Sequence, residues 1–127
     1  MVTVAERHTV EDLLNFRYVP DAVAPSDQVS TNAFVAVTGS VLDMWFKETL
    51  SYTISNVGAN SITVQVVGAN ISDFSDEVVV NGPTAIGAAA LTSYNVSPAP
   101  YRYYRVEEKA TVADTHGSAR VRGIAKG

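Results

Sequence analysis

The 127-residue sequence contains no cysteine. That absence excludes disulfides, thiolate metal sites and cysteine nucleophiles. Charge is the second scarcity. Asp, Glu, Lys and Arg are missing from Thr49 through Ser72 and again from Val78 through Tyr101, with Asp73, Asp76 and Glu77 between the two stretches. Both stretches are rich in Ser, Thr, Asn and Gly, so they read neither as a membrane span nor as plain core. They read as a β-domain whose outer face is polar but neutral. A free cytosolic protein ordinarily keeps charge there for solubility. A chain packed into an assembly, or sited outside the cell, does not need it. Histidine is limited to His8 and His116, one in an N-terminal arm and one at a turn, and two surface histidines outweigh a catalytic pair or zinc site. No apolar run reaches membrane-spanning length. No phosphate loop, Rossmann fingerprint, nucleophile elbow or heptad is present. The reading is a protein without cofactor or enzymatic activity.

The length suits one domain with a core of its own. The N-terminus carries Glu6 and Arg7 where the apolar region of a signal peptide belongs, so synthesis in a cytoplasm is expected. The net charge of −4 is unevenly placed. Residues 1–100 hold ten acidic and three basic residues, and residues 101–127 hold three and six. A positive tail segment on an otherwise acidic chain is too little for nucleic-acid binding, which calls for a basic domain. It suits docking to an acidic neighbour.

Two parts are expected, an arm over residues 1–32 and a β-domain over 33–127. Thr9-Val-Glu-Asp12 has capping-box spacing and predicts a short helical turn, after which Pro20 and Pro25 break the chain. Leu13, Leu14, Phe16 and Tyr18 make the arm apolar and mark it as a partner-binding element. Beyond it, Leu50, Tyr52 and Ile54 alternate with Thr49, Ser51, Thr53 and Ser55, a half-buried strand. Ile62, Val64 and Val66 repeat the pattern. Asn56–Ser61 and Asn81-Gly82-Pro83 are turn chemistry, Val78–Val80 is a short strand and Ala85–Leu91 reads as irregular. Six to eight such strands predict an all-β fold, a single antiparallel β-sandwich or barrel-like domain.

Asp114-Thr-His-Gly117 suits a four-residue hairpin connection. In that hairpin Val106 faces Ala125, Ala110 faces Val121 and Val112 faces Ala119 on one apolar side. The other side then collects Arg105, Lys109, Arg120, Arg122 and Lys126 into a basic partner-binding face. Glu108 falls on the apolar side without an evident reason. Tyr101-Arg102-Tyr103-Tyr104-Arg105 is the densest aromatic–basic cluster. It suits a strand bracing its own sheet or a protein contact. Trp45 reads as a core or interface anchor. Asp73, Asp76 and Glu77 lack the spacing of a calcium loop and read as a solvated acidic loop.

Four segments carry a resemblance: Lys47–Asn56, Asn60–Asn70, Ala99–Val106 and Gly117–Lys126. Across about residues 33–127 the sequence resembles the small β-sandwich virion proteins of tailed bacteriophages, in style and length rather than through an invariant motif. Capsid decoration (cement) proteins fit best within that class. The resemblance implies a structural protein, often a homotrimer, made in the host cytoplasm and added to the outside of the virion. It implies the major capsid protein or another virion protein as partner, with the arm joining the shell. A tail, baseplate or head-fibre component, or a carbohydrate-binding module, is the alternative expectation.

Overall fold

The computed structural model describes residues 21–23 and 27–127. Leu13, Leu14, Phe16, Tyr18 and the helical turn expected near Thr9 lie outside the described residues. Ten strands follow: β1 (Asp21–Val23), β2 (Asp27–Val29), β3 (Val35–Ala36), β4 (Leu42–Asp43), β5 (Thr49–Asn56), β6 (Ile62–Ala69), β7 (Val78–Ile86), β8 (Leu91–Val96), β9 (Tyr103–Ala110) and β10 (Ser118–Lys126). Among the described residues there is no helix.

The strands form two antiparallel sheets. One runs β1–β10–β5–β8, with β2 also on β10; the other runs β3–β9–β6–β7, with β4 also on β9. The pairings nest. β6 pairs with β7, β5 with β8, the β3/β4 segment with β9, and the β1/β2 segment with β10. The chain is thus one long hairpin, folded over into two sheets. This is the jelly-roll order of strands, a double-sheet solution with two Greek keys.

Alternation sets the core. In β5 the even residues Leu50, Tyr52, Ile54 and Asn56 are buried while the odd ones are half exposed. Ile62, Val64 and Val66 of β6 meet them from the opposite sheet together with Tyr104 and Val106 of β9, while Ala119, Val121 and Ala125 of β10 extend the β5 side of the core. Burying side chains of this size stabilises by about 1.5–3 kcal/mol each. Tyr52 is fully buried, and its hydroxyl donates to the carbonyls of Ser40 (2.6 Å) and Tyr104 (3.1 Å).

The expected hairpin between β9 and β10 is not formed. In a nested roll these two strands belong to different sheets, β9 beside β6 and β10 beside β5. Val112 forms only an isolated bridge with Thr115 and is 62% exposed. Asn81-Gly82-Pro83, expected as a turn, runs inside β7. Two register shifts against β6 absorb it, and Gly82 takes φ +90°, which a side chain resists. Residues 21–23 and 27–29 of the expected arm are strands on β10.

Candidate interaction surfaces

The five cations expected on one face are divided between two. The odd residues of β9 and the even residues of β10 point outward from different sheets, so Arg105 and Lys109 lie on one side of the sandwich and Arg120, Arg122 and Lys126 on the other. Three of the five are engaged. Arg105 Nη2 bonds Glu77 and Glu107, each at 3.1 Å, and the guanidinium lies 4.1 Å from the Phe74 ring centre. Arg120 grips Asp27 through Nε (2.7 Å) and Nη2 (3.0 Å), which holds the Asp27 carboxyl below its ordinary pKa. Lys109 Nζ sits 4.8 Å from the Phe34 ring centre. Arg122 and Lys126 are exposed and carry no ion pair among the described residues.

The acidic loop uses its carboxylates on its own backbone. Asp76 accepts from the N–H groups of Asn70 (3.0 Å) and Ile71 (3.2 Å), and Asp73 accepts from Ser75 (2.8 Å). Those bonds from Ser75 lower the Asp73 pKa. Glu77 is raised, by burial first and then by the neighbouring Glu107. No group of three His, Cys, Asp or Glu residues is placed to hold a metal ion among the described residues.

The aromatic–basic cluster divides by strand alternation. Tyr104 points in and is fully buried; its hydroxyl accepts from the Tyr101 N–H (3.1 Å), and the two rings stack edge-on at 6.1 Å. Burial raises the Tyr104 pKa. Arg102 and Tyr103 point out. The Arg102 guanidinium lies 4.6 Å from the Trp45 ring centre and 5.1 Å from that of Tyr103, and it bonds Asp43 at 3.3 and 3.4 Å. Trp45 and Phe46 are each 50% exposed, with ring centres 5.2 Å apart. Trp45 is therefore not a core residue. The sequence holds both halves of this patch, but Trp45 and Arg102 lie far apart along it. Only the pairing of β4 with β9 brings them together.

Glu108 is fully buried between the sheets. Among the described residues, neither carboxyl oxygen has a partner within hydrogen-bond distance. Val35 and Val64 flank it in its own sheet. Burial pushes its pKa up to about 7, against a smaller opposing pull from the Ala119 backbone N–H.

No family model and no curated protein sequence matches the chain. Solved structures do. The crystal structure of PirA superposes with a TM-score of 0.54 at 13% identity, over 76% of this chain and 90% of that one. A subunit from Bacillus endospore appendages, described as a novel family of disulfide-linked pili, gives 0.54 at 12%, over 87% and 88%. The SPBc2 prophage-derived protein YomS gives 0.47 at 14%, over 80% and 94%. At such identities the likeness establishes the β-sandwich fold alone.

Proposed function

We propose that the chain is a non-enzymatic structural subunit of a virion or surface appendage, and within that class a capsid decoration protein of a tailed bacteriophage. The observation that carries this is the placing of charge. The outer face of the β5–β8 part of its sheet includes Ser51, Thr53, Ser55, Ser93 and Asn95 and no charged residue, and the cations of that face, Arg120, Arg122 and Lys126, are confined to β10. Arg120, Arg102 and Arg105 are neutralised by acids of the same domain. Surfaces of this kind suit close packing in an assembly better than free solution. Jelly rolls recur among virion proteins, and one superposing chain comes from pili, so the fold is compatible with the role without establishing it. The pili of that comparison are disulfide-linked, whereas this chain has no cysteine. Any assembly of this chain is held without disulfides.

In this reading many copies, as homotrimers, bind the major capsid protein of the assembled head but not its free subunits, and mass action stabilises the assembled state. The apolar arm residues Leu13, Leu14, Phe16 and Tyr18 bury at that contact. Arg122 and Lys126 supply the free positive charge for an acidic neighbour. Purified heads lacking the chain test this. The full chain is expected to co-sediment with them saturably, and Arg122→Glu with Lys126→Glu to weaken binding about tenfold while melting is unchanged. Absence of saturable binding to heads would sink the decoration role.

The half-exposed Trp45 beside Arg102 and Asp43 favours a second reading, a carbohydrate-binding module that stacks a sugar on the indole. A glycan-array signal abolished by Trp45→Ala supports that reading; a blank array removes it.

A further inference from the structure

A two-sheet sandwich has four edges, and each exposed edge is a row of unpaired N–H and C=O groups able to template another strand. Three edges here are blunted. β1 and β2 are separate three-residue strands containing Asp21 and Asp27. β3 and β4 have two residues each, and β4 carries Asp43. β7 is long but irregular, with two register shifts and Gly82-Pro83 in its middle. Among the described residues, β8 has none of these protections. Its six residues, Leu91 to Val96, hold no charge and no proline, and all six pair with β5 in unbroken register.

The ladder shows which backbone groups of β8 have no strand partner among the described residues. Asn56 N–H donates toward β8, to the carbonyl of Ala90 (2.9 Å), while Val57 N–H donates toward β10, to Ser118 (2.8 Å). Antiparallel bonding alternates along a strand. The even residues of β8 therefore bond β5, and Leu91, Ser93 and Asn95 turn their N–H and C=O groups out to the edge. Their side chains are exposed on the outer face, Leu91 to 63%.

We propose that β8 is a self-association edge, on which β8 of a second copy adds antiparallel about a two-fold axis. The fit to a second copy follows from the strand itself. Outward-bonding residues must oppose outward-bonding residues, so Ser93 meets its own counterpart or that of Asn95. Neither arrangement sets charge against charge. Six residues of ladder supply few net hydrogen bonds, each contributing about 0.5–1.5 kcal/mol, against the larger cost of association. The contact thus acts where copies are already concentrated, joining neighbouring oligomers within an assembly. It deepens the structural role proposed above and rests on it.

The cysteine-free chain makes the test direct. Directly opposed residues of an antiparallel ladder lie within disulfide reach. Oxidising an equimolar mixture of the full-length Ser93→Cys and Asn95→Cys proteins is expected to give a covalent dimer. Ser75→Cys, on the exposed acidic loop, is expected to give none. Ser93→Pro removes an outward N–H without a bond to β5, and Ser93→Lys places like charges across the axis. Both are expected to raise the dissociation constant of self-association measured by sedimentation about tenfold with melting retained. Cross-linking no greater than that of Ser75→Cys, or sedimentation of both variants like the wild type, overturns the proposal. Binding to heads is scored separately. Variants that bind heads without cross-linking remove the edge alone, and cross-linking without head binding removes the decoration role alone.

Discussion

Among the described residues, Glu108 carries the clearest pH dependence. Its folded pKa of about 7 stands above the ordinary 4.5 because the carboxyl is buried. Below pH 4.5 folded and unfolded chains are both protonated there. Between 4.5 and 7 the unfolded chain gives up its proton while the folded one keeps it, so stability falls as pH rises, by about 3 kcal/mol in all. Glu77, also raised, acts in the same sense. Asp27 and Asp73 are lowered, so their contribution is lost only as pH falls through the carboxylate range. Urea unfolding is expected to show greatest stability near pH 5, and Glu108→Gln to remove most of the decline between pH 5 and 8. An equally steep decline in the variant contradicts this account. The sequence shows Glu108 to be out of place, because it breaks the alternation of Tyr104, Val106 and Ala110. It does not show that the carboxyl is fully enclosed, since that depends on the second sheet covering it.

Among the elements, the β5–β6 connection holds the roll closed at one end. Asn56 is buried, and its Nδ2 donates to Asn60 O (2.7 Å) and Ile86 O (3.0 Å), while its Oδ1 accepts from the N–H groups of Gly58 (3.0 Å) and Ser118 (3.4 Å). One side chain thereby joins the turn, the end of β7 and the start of β10. Gly117 is packed against the same turn so closely that a Cβ would lie 2.1 Å from Asn60 O and 2.7 Å from an Ile62 methyl. Asn56→Ala leaves several buried groups unpaired and is expected to cost about 2–4 kcal/mol, read as a lower urea midpoint. A change below about 0.5 kcal/mol, the size of an ordinary surface substitution, refutes the hub role. The period-two runs of β5 and β6 are legible because each has one buried and one wet face. The pairing of β9 is not, because turn chemistry at Asp114–Gly117 looks the same whether the strands it joins lie side by side or in different sheets. That ambiguity put Arg105 and Lys109 on a face with Arg120, Arg122 and Lys126.

For the whole molecule, the uncharged stretches find a structural explanation. The first builds β5, β6 and their turn, and the second builds β7, β8 and their link. Together they supply the neutral outer face beside β8 and the open edge, while Arg102, Arg105 and Arg120 pair with nearby acids and Arg122 and Lys126 stand free on β10. Composition announced an all-β domain with a neutral surface, and the nested pairings add where that surface ends in an open strand. The central claim is that this surface exists to be packed within a particle. Quantitative mass spectrometry of purified virions from cells producing the chain tests it most directly. The account predicts many copies of the chain per particle, in fixed ratio to the major capsid protein. Particles free of the chain, with all of it left in the soluble lysate, would contradict it.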